Sequence, residues 1–108
     1  MTLEQEQCAP IKRGAPPMSA EEARELASQA PGWSLTDTSL AREFTFQDFR
    51  EAISFVNRVA DIAEREGHHP DITIYYNKVR LSLSTHNIGG LSRNDFILAA
   101  KISKVTGG

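Results

Sequence analysis

The segment from residue 72 to residue 83 most constrains what this chain can fold into. Apolar residues alternate with polar ones on both sides of Asn77-Lys78: Ile72, Ile74 and Tyr76 before it, and Val79, Leu81 and Leu83 after it. A two-residue turn there would pair Tyr76 with Val79, Ile74 with Leu81 and Ile72 with Leu83. The pattern therefore predicts an antiparallel hairpin whose six apolar side chains share one buried face.

Helical patterns and a second hairpin surround this segment. Ser19 and Glu22 make a capping pattern before a helix that ends at Pro31-Gly32, and Ser92 with Asp95 does the same for a last helix. Residues 33–35 and 40–46 flank a polar turn at residues 36–39 and predict the first hairpin. The order helix, strand, strand, helix, strand, strand, helix predicts an α+β two-layer domain, with amphipathic helices on one face of an antiparallel sheet.

The longest helical pattern runs from about Gln47 to Glu66 and is more apolar than one core contact requires. Its main stripe, Phe49, Ile53, Val56, Ala60 and Ala63, is widened to nearly half the circumference by Phe55, Val59 and Ile62. Two interpretations remain open: a helix deep in its own core, or a helix with a second buried contact such as a subunit interface. Gly67 is expected to close the helix as a left-handed cap.

The remaining sequence predicts one domain, residues 19–108, preceded by an extended or mobile N-terminal arm, residues 1–18. The arm contains Pro10, Gly14 and Pro16-Pro17 and has no sustained apolar period. A chain of 108 residues has the size of a single domain.

Charge and cysteine usage exclude several classes of partner and place the protein in the cytoplasm. A formal net charge of -2 gives no dense basic face, so we expect no direct nucleic-acid binding. No apolar run approaches the roughly 20 residues of a spanning helix, and the start lacks a secretory pattern, so we expect no membrane partner. The single cysteine, Cys8, cannot form an internal disulfide and is expected to be a free thiol.

All three histidines fall where regular structure is predicted to stop. His68 and His69 follow the helix cap, and His86 ends the last predicted strand. Pro70 restricts His69 to extended backbone angles and so holds the pair in a defined orientation. Glu64 lies four residues before His68 at the edge of the apolar stripe, where a carboxylate can orient an imidazole and tune it as a general acid.

Each of these residues also has a plain structural interpretation. Glu64 is equally a boundary residue paired with Arg65, the histidines belong to polar loops, and Asp95 is explained by helix capping alone. A metal site is disfavoured because adjacent histidines diverge and no helical i, i+4 histidine pair is present. The sequence contains no G-x-S-x-G nucleophile motif and no Gly-rich phosphate loop.

A spaced set of residues resembles the signature of the pterin-4a-carbinolamine dehydratases. The set comprises Gly32-Trp33, F-x-F-x-D-F from Phe44 to Phe49, Glu64-x-x-x-His68-His69-Pro70, Tyr76, Asn77-Lys78-Val79, Ser84-Thr85-His86, Gly90-Leu91-Ser92 and Asp95. The similarity runs from about Ser19 to Val105 and leaves the arm outside. It implies a four-stranded antiparallel sheet with three helices on one face, in agreement with the order derived above.

The resemblance also implies a reaction and a set of site residues. Family members remove water from a 4a-hydroxytetrahydropterin such as 4a-hydroxytetrahydrobiopterin, giving the quinonoid dihydropterin and so recycling the cofactor of aromatic amino acid hydroxylases. His68 and His86 would act as general acids toward the two faces of the substrate, and His69 would position the ring. Glu64 and Asp95 would orient the imidazoles. The pterin would be bound by His68, His69, Pro70, Thr85, His86, Asn87 and Ile88, with no metal and no cofactor.

The resemblance leaves a second class of function open. Family members form homodimers or homotetramers, which would give the broad apolar helix its second contact. Some animal members also act as transcriptional coactivators, and divergent relatives of the fold assist assembly of Rubisco. The alternative function is therefore a protein-binding module that uses the same fold without turnover.

Overall fold

The computed structural model describes residues 2–36 and 38–106, so Asp37 of the predicted turn lies outside the described residues. Three helices, α1 (Ala20–Ala27), α2 (Phe49–Glu66) and α3 (Arg93–Val105), lie on one face of a four-stranded antiparallel sheet. Its strands are β1 (Ser34–Leu35), β2 (Leu40–Thr45), β3 (Asp71–Tyr75) and β4 (Lys78–Leu83), in the order β1-β2-β4-β3. The predicted α+β class and element order are confirmed.

Capping residues begin the helices where the sequence predicts. The Ser19 hydroxyl accepts the Glu22 N–H, and Ser92 and Asp95 form a reciprocal capping box at the start of α3. Gly67 ends α2 with φ +68°, the left-handed conformation expected of it. The core between the layers contains the fully buried Phe55, Phe96, Leu40, Leu81, Leu83, Leu98 and Ile102.

The register predicted for the second hairpin is wrong by two residues. The structure pairs Ile74 with Val79 and Ile72 with Leu81, around a turn at Tyr76-Asn77. Tyr76 adopts φ +51°, and Asn77 is held at the end of β2, where its side-chain amide donates to the Phe46 carbonyl. A shift of two keeps each side chain on its predicted face, because the side-chain period of a strand is also two.

Burial of all six hairpin side chains is also not observed. Val79, Leu81 and Leu83 on β4 are fully buried, whereas Ile72 and Ile74 are 38% and 37% exposed and Tyr76 is 67% exposed. The reason is topological: β4 lies between β2 and β3, while β3 is at the sheet edge.

The face of α2 that packs into the core is not the main apolar stripe predicted from the sequence. The core side is formed by Ala52, Phe55, Val59, Ile62 and Ala63. Phe55 sets this rotation, since its ring lies 4.7 Å from Phe44 and 5.0 Å from Phe46, measured between centroids. Of the predicted main stripe only Ala63 is buried, and Phe49 is 49% exposed.

Two further segments position the site. His86 does not end β4, as predicted, but begins a short 3₁₀ turn, His86–Ile88, because Thr85 and Gly90 pair as an isolated bridge. The arm contains a second 3₁₀ turn, Leu3–Gln5, whose Leu3 is buried in the core. None of the helices in the described part of the chain is long and apolar enough to cross a membrane.

Candidate functional site

His68 and Asp95 form a close pair at the junction of α2 and α3. The His68 Nε2 lies 2.5 Å from the Asp95 Oδ1, with the imidazole 12% exposed and the carboxylate fully buried. Gly67 turns the chain out of α2, and the N–H groups of both Gly67 and His68 still donate to the Ala63 carbonyl. The helix end thereby positions the His68 backbone, and the buried Asp95 carboxylate contacts the imidazole.

Asp95 combines a helix-capping contact with a contact to the His68 imidazole. Its Oδ2 accepts hydrogen bonds from the Ser92 N–H at 3.0 Å and from the Thr85 hydroxyl at 2.9 Å. Helix capping and imidazole contact therefore use different oxygens of one carboxylate. The capping contact expected from the sequence is present, and the second oxygen of the carboxylate contacts His68.

Glu64 pairs with His69 rather than with His68. The Glu64 Oε2 lies 2.6 Å from the His69 Nε2, and both side chains are largely exposed. The spacing of four residues relates Glu64 to His68 only while the helix continues, and α2 ends before His68. Each of the first two histidines thus has its own carboxylate.

A pocket of about 340 Å³ opens beside His68. It is lined by Cys8, Ala9, Pro10, Ile11, Glu66, Gly67, His68, Thr85, Asn87 and Asn94. Three of the predicted site residues, His68, Thr85 and Asn87, are therefore brought together. His69, Pro70, His86 and Ile88 are not among its lining residues, and His86 is exposed in its 3₁₀ turn.

Sequence reasoning missed the arm residues, Glu66 and Asn94 as parts of this pocket. Only Cys8 was singled out, as a free thiol, and no periodicity or spacing relates residues 8–11 to a helix more than eighty residues later. A larger cavity of about 630 Å³ lies between the 3₁₀ turn of the arm, the end of α1 and α3. None of the three histidines lines it.

The Cys8 thiol is held in its neutral form. Burial, together with the nearby Glu66 carboxylate, raises the pKa of Cys8 from 9.0 to about 12. Its Sγ lies 3.6 Å from the Asn94 carbonyl oxygen, as a weak donor. The pocket lining therefore includes an uncharged thiol as well as His68 near neutral pH.

Within residues 2–36 and 38–106, no group of three or more His, Cys, Asp or Glu side chains is arranged to hold a metal ion.

The family of this chain follows from a match to a protein-family model. The family model for pterin 4 alpha carbinolamine dehydratase matches residues 16–105, most of the chain. The chain belongs to this family. The resemblance inferred from the spaced signature is thereby confirmed.

Individual members of the dehydratase family are similar in sequence to this chain over nearly its full length. A protein of Rubrobacter xylanophilus is 44% identical over 95% of this chain and 97% of the relative. One of Nitrosospira multiformis is 48% identical over 93% of this chain and 88% of the relative. Both carry the name pterin-4-alpha-carbinolamine dehydratase as a provisional assignment.

Solved structures of the dehydratase fold carry more than one function in their names. A transcriptional coactivator/pterin dehydratase from Brucella melitensis is 30% identical, with a TM-score of 0.78 over 82% of this chain and 97% of that one. A pterin dehydratase-like RuBisCO assembly factor of the alpha-carboxysome is 19% identical, with a TM-score of 0.58 over 70% of this chain and 88% of that one. The second likeness is one of fold alone.

Proposed function

We propose that this protein is a 4a-hydroxytetrahydropterin dehydratase that recycles the pterin cofactor of aromatic amino acid hydroxylases. The observation that carries the proposal is the His68–Asp95 pair, nearly buried beside a pocket of about 340 Å³, in a chain of the dehydratase family. Pockets of this size are within the usual range for small-molecule ligands. We assign the activity to the cytoplasm, since the one cysteine offers no internal disulfide.

The reaction requires proton transfers but no external oxidant or reductant. The bond between C4a and the hydroxyl oxygen breaks, and a proton on that oxygen lets it leave as water. The electrons come from the adjacent ring nitrogen, which forms a double bond to C4a as its own proton departs. One proton is donated and one is accepted, so positioned imidazoles suffice.

The residues are assigned to these steps as follows. His68 donates the proton to the departing oxygen, and Asp95 holds the ring in the orientation for that transfer. By the family signature, His86 acts as an acid or base toward the other face of the substrate, although its side chain is exposed outside the pocket lining. Thr85 and Asn87 position the pterin ring from the pocket wall; the family signature adds His69, held by Glu64, with Pro70 and Ile88, which also lie outside that lining.

The direct test follows the decay of a 4a-hydroxytetrahydropterin with and without the purified protein. The proposal predicts faster formation of the quinonoid dihydropterin with the protein present. Decay at the uncatalysed rate would contradict it.

Metal removal is expected to leave turnover unchanged, because imidazoles alone carry the protons. The measurement is the same assay after incubation with a chelator and gel filtration. A loss of activity that zinc restores would overturn the metal-free mechanism.

A protein-binding module is the second candidate function, favoured by the coactivator name carried by the Brucella melitensis structure. That function would use the surface of the fold without pterin turnover. A stoichiometric partner that copurifies with a protein inactive on pterins would support it.

We further propose that the protein is a homodimer or homotetramer. β3 is an edge strand with Ile72 and Ile74 exposed, and antiparallel pairing of an edge with a second copy is self-complementary. The outer side of α2 supplies a second apolar surface around Phe49 and Ile53. The α2 surface would account for the apolar excess that the sequence pattern of this helix indicated.

Charge placed on these surfaces is expected to lower the molecular mass in solution. Ile74→Lys introduces a charge at the β3 edge, and Phe49→Lys does so on the outer side of α2. Ser28→Lys, at the exposed C-cap of α1, adds the same charge elsewhere and is the control. Light scattering after size-exclusion chromatography gives the mass; a monomeric wild type, or an unchanged mass in both variants, contradicts the proposal.

A further inference from the structure

The N-terminal arm is built onto the elements that carry the site. The arm consists of residues 2–18, of which the family model matches only the last few. Leu3 is buried in the core, and the Lys101 ammonium donates to the Glu4 carbonyl oxygen at 2.9 Å. The Arg93 guanidinium donates two hydrogen bonds of 2.7 Å to the Glu6 carboxylate. The arm therefore lies against α3 from its first residues onward.

The Asn94 side chain binds the arm by hydrogen bonds to both the backbone N–H and the carbonyl group of Ala9. Its Nδ2 donates to the Ala9 carbonyl oxygen at 2.7 Å, and its Oδ1 accepts the Ala9 N–H at 3.0 Å. The Asn94 side chain is buried and directly precedes Asp95. The residue that fastens the arm is thus the chain neighbour of the carboxylate that orients His68.

Cys8 joins α2 to α3. Its backbone N–H donates to the Glu66 Oε1 at 2.8 Å, and its Sγ contacts the Asn94 carbonyl oxygen. Glu66 is the last residue of α2, two residues before His68. Cys8 and Ala9 therefore bridge the two helix ends whose separation sets the contact between His68 and Asp95.

The following part of the arm holds the loop between β4 and α3. The Asn87 Nδ2 donates to the Ile11 carbonyl oxygen at 2.9 Å, and the Asn87 carbonyl accepts the Gly14 N–H at 3.4 Å. Pro17 packs so closely on Gly90 that a Cβ on Gly90 would lie 2.8 Å from the Pro17 Cβ. This loop contains Thr85, which donates to Asp95.

We propose that residues Cys8–Ile11 are the outer wall of the pterin pocket. This inference rests on the proposed function. Four of the ten pocket-lining residues belong to this short segment, and the other six come from the end of α2, the loop after β4 and α3. Pro10 and Ile11 contribute apolar surface suited to a flat bicyclic ring. The wall thus sets how tightly the pterin is held.

Cys8 reports on the wall directly because it is the only cysteine and lines the pocket. Its alkylation rate is measured at one fixed pH in the full-length protein. Asn94→Leu keeps the approximate size of the side chain and removes both bonds to Ala9, so alkylation should accelerate about tenfold. Glu6→Gln weakens an exposed tie of the arm outside the pocket and should change the rate less than about fivefold.

A dihydropterin that lacks the 4a-hydroxyl group tests occupation of the pocket. At ten times its Kd it should slow the alkylation of wild-type Cys8 by about tenfold, since only about a tenth of the sites remain empty. Ile11→Ala truncates the wall without touching the Asn94 bonds. It should raise the KM for the 4a-hydroxytetrahydropterin severalfold with kcat and thermal stability near wild type.

The outcomes separate the two proposals. If the wild-type protein does not turn over the 4a-hydroxytetrahydropterin and the dihydropterin does not protect Cys8 from alkylation, the proposed function is overturned. The proposed wall is then overturned as well. A wild type that turns over, but whose Cys8 is not protected and whose Ile11→Ala variant keeps the wild-type KM, overturns the wall alone. Equal alkylation rates in Asn94→Leu and wild type show that Asn94 does not fasten the arm. That result also overturns the proposed wall.

Discussion

Replacement of His68 by alanine is expected to slow pterin dehydration by about 10²- to 10⁴-fold, the usual contribution of a positioned acid or base. The protein should remain folded. The lost hydrogen bond to a buried carboxylate costs about 2 kcal/mol, while small domains have about 5–15 kcal/mol of stability. Steady-state kinetics and thermal unfolding by circular dichroism measure the two effects separately.

Two further variants distinguish catalysis from structure at His68. His68→Gln retains an amide that can donate to Asp95 but cannot act as an acid, so it should unfold closer to the wild-type temperature and stay inactive. His69→Ala removes an exposed imidazole of the same type and should act mainly on KM, with little change in stability. Wild-type kcat in folded His68→Ala protein would show that His68 is not the acid.

Replacement of Asp95 by alanine is expected to give the largest loss of stability among the site variants. The carboxylate is fully buried and accepts from the Ser92 N–H and the Thr85 hydroxyl while contacting His68. Its removal leaves these groups unsatisfied and takes away a helix cap, at a combined cost of about 3–5 kcal/mol. At roughly 4–8 °C for each kcal/mol in a domain of this size, Tm should fall by about 12 °C or more.

Asp48→Ala is the matched control for this stability effect. Asp48 also caps a helix, accepting the Glu51 N–H at 2.9 Å, but it lies outside the site. Its loss should cost about 1 kcal/mol. Asp95→Asn keeps the size of the side chain and should fall between the two in stability while losing much of the activity. Equal Tm values for Asp95→Ala and Asp48→Ala would contradict the dual role of Asp95.

The second hairpin shows why the sequence predicts faces better than partners. Alternation places Ile72 and Ile74 on the same face as Val79 and Leu81, and the structure agrees. The pairing depends on where the chain turns, and that is decided by the left-handed Tyr76 and by the contacts of Asn77 with Phe46. No local pattern distinguishes registers that differ by two residues, because both put the same side chains on the same face.

The long helix shows the same limit in another form. Its pattern correctly indicated more apolar surface than one core contact needs. A stripe that covers nearly half the circumference does not specify its own centre, and the rings of Phe44 and Phe46 decided that Phe55 faces inward. Phe49 consequently lies on the outer side.

The sequence by itself determined the order of elements, the capping residues and the family. At the candidate site, it also singled out the residues now assigned to catalysis. These features depend on local propensity and on the spacing of residue types along the chain. Only the tertiary structure decided that Asp95 contacts His68, that Glu64 contacts His69 and that residues of the arm line the pocket. The contacts from Cys8 and Ala9 to Asn94 join residues more than eighty positions apart, and such contacts exist only once packing has brought α2, α3 and the arm together.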